Sequence, residues 1–120
     1  MPGRVPGDTF AAPMTGSPLL VLTTLESLDD ARRLVRTLVE ERLIACGTVV
    51  QGATSIYRWQ GGMHDAAEVV VLLKTMSTRW EALRDAMQRH HPYDVPELLA
   101  LPVTAGLDAY VEWVAEEVTP

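Results

Sequence analysis

Glu68-Val69-Val70-Val71-Leu72-Leu73-Lys74 is a continuous apolar run closed at its ends by a carboxylate and an amine. It is too short to be a helix of its own and rich in β-branched residues, so it reads as the strongest strand of the chain. Val69, Val71 and Leu73 share one face of that strand, and Val70 and Leu72 share the other. Both faces are apolar, so both need cover. Just upstream, Gly61-Gly62 is a hairpin-type turn. Before it, Thr54-Ser55-Ile56-Tyr57-Arg58-Trp59 and Thr48-Val49-Val50 read as extended, with Gly52 between them as a bulge or bend.

Further out, Leu19-Leu20-Val21-Leu22-Thr23 is a second short apolar run and reads as a central strand. Ser27-Leu28-Asp29-Asp30 resembles a capping box with Asp30 in the place of the usual glutamate. Ala31, Leu34, Val35, Leu38 and Val39 follow at helical spacing, and the helix is expected to end between Leu43 and Cys46, with Gly47 as its stop. On the other side, Thr78-Arg79-Trp80-Glu81 is a second capping box. Its helix buries Trp80, Leu83 and Met87 and ends at His91, because Pro92 follows. A fourth strand is expected over residues 98–103. A final helix starts at Leu107 or Asp108 and is expected to bury Leu107, Tyr110, Val111 and Val114. The order β-α-β-β-α-β plus a C-terminal helix is an α+β, ferredoxin-like plan. Two helices on one face of an antiparallel sheet leave the other face to the final helix or to neighbouring subunits.

The composition bounds the function. The 120 residues suit one domain with a single core, and 48% apolar content excludes wholesale disorder. A net charge of −6 argues against nucleic acid, and no apolar run is long enough to span a membrane. Residues 1–17 read as a mobile tail without the apolar core of a signal peptide, and residues 18–120 as the folded domain. Cys46 is the single cysteine, which excludes an intrachain disulfide and fits a cytoplasmic setting.

The candidate chemistry gathers in His90-His91-Pro92-Tyr93-Asp94-Val95-Pro96-Glu97, a connection stiffened by two prolines. Adjacent histidines on a helix point about 100° apart and cannot easily share an ion. His91 could bind a metal with a distant donor, or cap the last carbonyls of its own helix. Cys46 offers a thiolate, which suits Cu(I) and Zn, or is a small buried residue at a helix end. Lys74 ends a buried strand and needs a carboxylate, Glu68 or Glu97, or lines a cleft. Trp59, Trp80 and Trp113 read as core or interface anchors, His64 as solvated, and Ser55 and Ser77 have no activating base.

Ala45-Cys46, Thr54-Ser55-Ile56-Tyr57-Arg58-Trp59-Gln60-Gly61, Glu68, Lys74-Thr75, His91-Pro92-Tyr93, Val95-Pro96-Glu97, Leu101-Pro102-Val103 and Tyr110 with Trp113 resemble, in order and spacing, the CutA family of divalent-cation tolerance proteins. The resemblance runs from Leu19 to Trp113. It departs at Gly47-Thr48, where many members have Val-Asn, at Gly62, where a lysine is common, and at Ala66-Ala67, often acidic. It implies a ferredoxin-like, PII-like subunit in a homotrimer whose hairpin arms pair across subunits. It further implies binding of copper or another divalent metal, without catalysis and without an organic cofactor. The metal ligands it implies are Cys46 and His91, with Glu97 as helper. Likeness to PII signalling trimers implies an alternative, an inter-subunit cleft with Tyr57, Trp59, Lys74, Tyr93 and Glu97 holding a small anionic effector. A scaffolding trimer, with or without a protein partner, is the third reading.

Overall fold

The computed structural model describes residues 16–120. The expected tail therefore lies outside the described residues, except for Gly16 and Ser17. Ser17 exchanges two hydrogen bonds with Ser77, donating its backbone N–H to Ser77 Oγ and accepting the Ser77 N–H on its carbonyl.

Strand β1 (Pro18–Leu25) leads into helix α1 (Leu28–Glu40), and the hairpin β2 (Cys46–Trp59) and β3 (Gly62–Met76) follows. A single 3-10 turn at Ser77–Arg79 opens α2 (Trp80–His90), and β4 (Leu99–Pro102) and α3 (Asp108–Glu117) complete the chain. The sheet order is β2-β3-β1-β4, antiparallel at each junction. This is the ferredoxin-like plan read from the sequence.

Ser27 caps α1 as the capping box predicts: its Oγ accepts the Asp30 N–H at 3.1 Å. The end of α1 differs from expectation. The helix stops at Glu40, not at residues 43–46, because Arg42 takes a left-handed φ of 58°. Leu43 N–H then bonds Leu38 O and Arg42 N–H bonds Val39 O, a Schellman closure made without glycine. Leu43, Ile44 and Ala45 run buried into β2, so Cys46 opens a strand instead of ending a helix. The second capping box does not form either. No side chain caps α2, and Thr78 lies inside the 3-10 turn.

The hairpin turn is Gln60-Gly61, one residue earlier than expected. Both residues have positive φ (50° and 80°), as a type I′ turn requires, and Gly62 already pairs with Trp59. The bulge falls at Gly52 (φ 88°). Val50 pairs with Val70 and Ala53 with Glu68, so β2 carries one residue more than β3 between those pairs.

One sheet face, with Val21, Leu25, Val69, Val71 and Leu73, packs against α1 and α2 to form the main core, which also holds Leu34, Leu38, Leu83 and Met87. The opposite face carries Leu20, Leu22, Val70 and Leu72, with Leu101 and Leu99 opposite Leu20 and Leu22. Helix α3 covers one end of the fold through a small second cluster of Ala45, Met76, Val114 and Val118. The expected burial of the first turns of α3 is therefore not found. Leu107 and Tyr110 are exposed and Val111 is half-buried, because only the second half of α3 reaches that cluster.

Candidate functional site

The bulge at Gly52 builds the site. Side chains alternate along a strand, and one extra residue transfers the rest of the strand to the other face. Before the bulge, Cys46, Thr48 and Val50 share the face opposite the helices. After it, Ala53, Ser55, Tyr57 and Trp59 do so, opposite Glu68, Ala66, His64 and Gly62. Tyr57 and Trp59 thus come to the same side as Glu68. With Tyr93, Asp94, Val95 and Glu97 from the α2–β4 connection, and Thr24 and Glu26 from the end of β1, they line an open cavity of about 770 Å³.

Four of the expected residues therefore meet there: Tyr57, Trp59, Tyr93 and Glu97. Glu97 stands with the aromatic residues, away from Cys46. The cavity also gathers Glu26, Glu68 and Asp94, and no lysine or arginine is among its lining residues. Of these, Glu26 lacked any signal in the sequence, because only the end of β1 brings it alongside Glu68. Burial, followed by the Glu68 and Glu26 carboxylates, raises the Tyr93 phenol to about 12, so it remains a neutral hydroxyl.

His91 holds the connection in place. It is 6% exposed, and it is the C-cap of α2 with extended backbone. Its Nδ1 accepts the Tyr93 N–H at 3.1 Å. That bond assigns the proton to Nε2, which donates to Thr24 O at 2.9 Å. The ring does not cap its own helix; it ties the α2–β4 connection to β1. Burial lowers its pKa, against the opposing pull of the Thr24 carbonyl, Asp30 and Glu68. The ring is thus neutral, edge-on to Tyr93 at 4.8 Å between centroids.

Lys74 stands apart from the cavity. It pairs across the sheet with Cys46 and Leu20. Its Nζ donates to Thr48 Oγ1 and lies 3.6 Å from Cys46 Sγ, and the expected ion pair with Glu68 or Glu97 is not formed. Cys46 is half-buried, and it lies near Tyr110 of α3, whose phenol is raised by burial first and by Cys46 second. Lys74 opposes Leu20 while His91 binds at Thr24, four residues along β1. That is roughly 13 Å at strand spacing. A single subunit therefore does not bring Cys46 and His91 to one ion. Among the described residues, no three His, Cys, Asp or Glu side chains converge as a metal ion requires. His90 turns to α1, with Nε2 3.4 Å from Glu41.

A four-stranded antiparallel sheet backed by two helices, with a long bulged hairpin and a third helix on its end, defines a PII-like, ferredoxin-like subunit. Residues 19–117 match the family described as CutA1 divalent ion tolerance protein, and the chain belongs to that family. The divalent-cation tolerance protein CutA of Thermus thermophilus is 43% identical over 97 residues, 81% of this chain and 94% of that protein. The crystal structure of CutA from Xylella fastidiosa superposes with a TM-score of 0.84 at 36% identity, covering 87% of this chain and all of that one. A structure from Archaeoglobus fulgidus, described as a periplasmic divalent cation tolerance protein CutA, superposes at 0.82 and 29% identity, covering 85% and 99%. No helix among the described residues is long and apolar enough to cross a membrane.

Proposed function

We propose that this chain is the subunit of a homotrimeric, non-enzymatic divalent-cation tolerance protein that binds copper or a related metal in the cytoplasm. The observation that carries the reading is the separation of its candidate donors along β1, beside a sheet face that α3 leaves largely bare. A chelate then needs a donor from a second subunit, and the bare face supplies the reason for subunits to meet. Cys46 is the first ligand, since a thiolate is the softest donor present. His91 must give up one of its two backbone hydrogen bonds to serve, so it is the second, with Glu97 as an outer helper. Metal binding by a thiol releases a proton, so affinity weakens on acidification.

Calorimetric titration of Cu(I), Cu(II) and Zn(II) into reduced protein of measured mass tests this, with Cys46→Ser and His91→Ala alongside. Tight binding at a simple ratio per subunit, lost in Cys46→Ser, is expected. Affinity indifferent to both substitutions would overturn the assignment. The alternative of a PII-like anion effector needs a cation such as Lys74 from a neighbouring subunit, because the cavity of one subunit is lined by four carboxylates and neither lysine nor arginine.

A further inference from the structure

We infer that the cavity between the hairpin and the α2–β4 connection is a binding site for a small linear aliphatic polyamine. Its volume of about 770 Å³ falls within the range of small-molecule sites. Its walls are of two kinds. Tyr57 and Trp59 supply aromatic surface from β2 and Tyr93 from the connection, all on one side of the sheet. Carboxylates stand on three elements: Glu26 after β1, Glu68 on β3, and Asp94 and Glu97 on the connection.

That combination selects an organic cation. Aromatic faces attract ammonium groups and accept methylenes, and carboxylates without a local cation attract positive charge. The dispersal of the carboxylates decides the kind of cation. They do not converge on a point as metal ligands do, so a compact divalent ion has no shell here. A ligand with amines spaced along an alkyl chain reaches several of them at once, with its methylenes against the rings. A single ammonium, such as a lysine side chain, reaches only one wall. Glu26 stands on one element and Asp94 and Glu97 on another, and these three carboxylates take the amines. The inference shares Glu97 with the metal reading but needs neither Cys46 nor His91, so the failure of one leaves the other standing.

The test is calorimetric titration of spermidine, butylamine, magnesium chloride and a lysine-containing peptide into full-length protein freed of metal on a chelating resin. The expected result is one spermidine per subunit, with butylamine at least about tenfold weaker. Asp94 and Glu97 are exposed, so Asp94→Asn with Glu97→Gln should leave the fold and the oligomeric mass unchanged and weaken spermidine by about tenfold or more. Trp59→Ala should weaken it independently, and Glu26→Gln provides a charge test on a separate element. Spermidine binding that magnesium matches at equal charge, or that none of these variants moves, would be diffuse attraction to an acidic surface and would overturn the site. No binding would overturn it too. Tighter binding of the peptide than of spermidine would overturn the small-ligand assignment.

Discussion

His91 shows how a candidate ligand can also serve as a fastener within its own subunit. Both ring nitrogens are engaged with backbone, one with β1 and one with its own connection. His91→Phe keeps a ring of similar bulk but leaves the Thr24 carbonyl and the Tyr93 N–H unpaired. Each buried unpaired group costs about 1–3 kcal/mol, so the variant should unfold at clearly lower denaturant. The pH dependence follows from the lowered pKa. Below 6.5 the unfolded chain takes up a proton that the folded ring resists. The stability contributed by neutral His91 is therefore complete above pH 6.5 and declines as pH falls through 6.5 toward the lower folded value. His91→Phe has no such group, so the gap in unfolding free energy between wild type and variant should narrow on acidification. Urea unfolding of both proteins between about pH 5 and 7.5 checks this. A constant gap would mean that the ring is not held neutral.

At the scale of elements, two glycines of β2 do different work. Gly52 has φ 88°, and a Cβ there would meet nothing within 4 Å. Gly47 has no positive φ, but a Cβ there would lie 2.7 Å from Val35 Cγ1 and 3.2 Å from Leu73 Cδ2. Gly52→Ala should therefore cost about 1–2 kcal/mol through its backbone alone. Gly47→Ala should cost about 1–3 kcal/mol through crowding against α1. Adding Val35→Ala should relieve the second and not the first; equal coupling to both in a double-mutant cycle would refute the distinction. The same pair marks what the sequence disclosed. The order of elements followed from hydrophobic period and turn residues, and Gly52 was legible as a bulge or bend. The end of α1 was not, because Arg42 closes it in a conformation that glycine normally supplies. Nor was the content of the cavity. The family resemblance groups Tyr57, Trp59, Tyr93 and Glu97, but the side of the sheet they occupy depends on one inserted residue. Lys74 was misplaced because its nearest polar partners, Cys46 and Thr48, are set by strand register and not by charge.

The whole molecule has the shape of a part. Its extents are 53 × 27 × 23 Å and its radius of gyration is 16.1 Å, against about 13 Å for a compact domain of 100 residues. The excess is the hairpin, whose far portion carries Ile56, Trp59 and Met63, each at least 60% exposed. Both outer strands, β2 and β4, have one unpaired edge. Such edges invite pairing unless they are covered. Leu99 and Leu101 of β4 are 55% and 46% exposed, on the face shared with Leu20 and Leu22. If this face joins subunits in the proposed trimer, a charge there is costly only in the assembly, since in a lone subunit the side chain already meets water. Leu101→Glu should therefore leave the circular dichroism of the subunit intact and lower the mass in light scattering from three subunits to one. The control is Glu81→Gln, exposed on α2, which should leave the mass unchanged. A trimer that survives Leu101→Glu would move the subunit contact from this face to the hairpin arm, where Ile56→Glu and Met63→Glu would then be the substitutions that dissociate it.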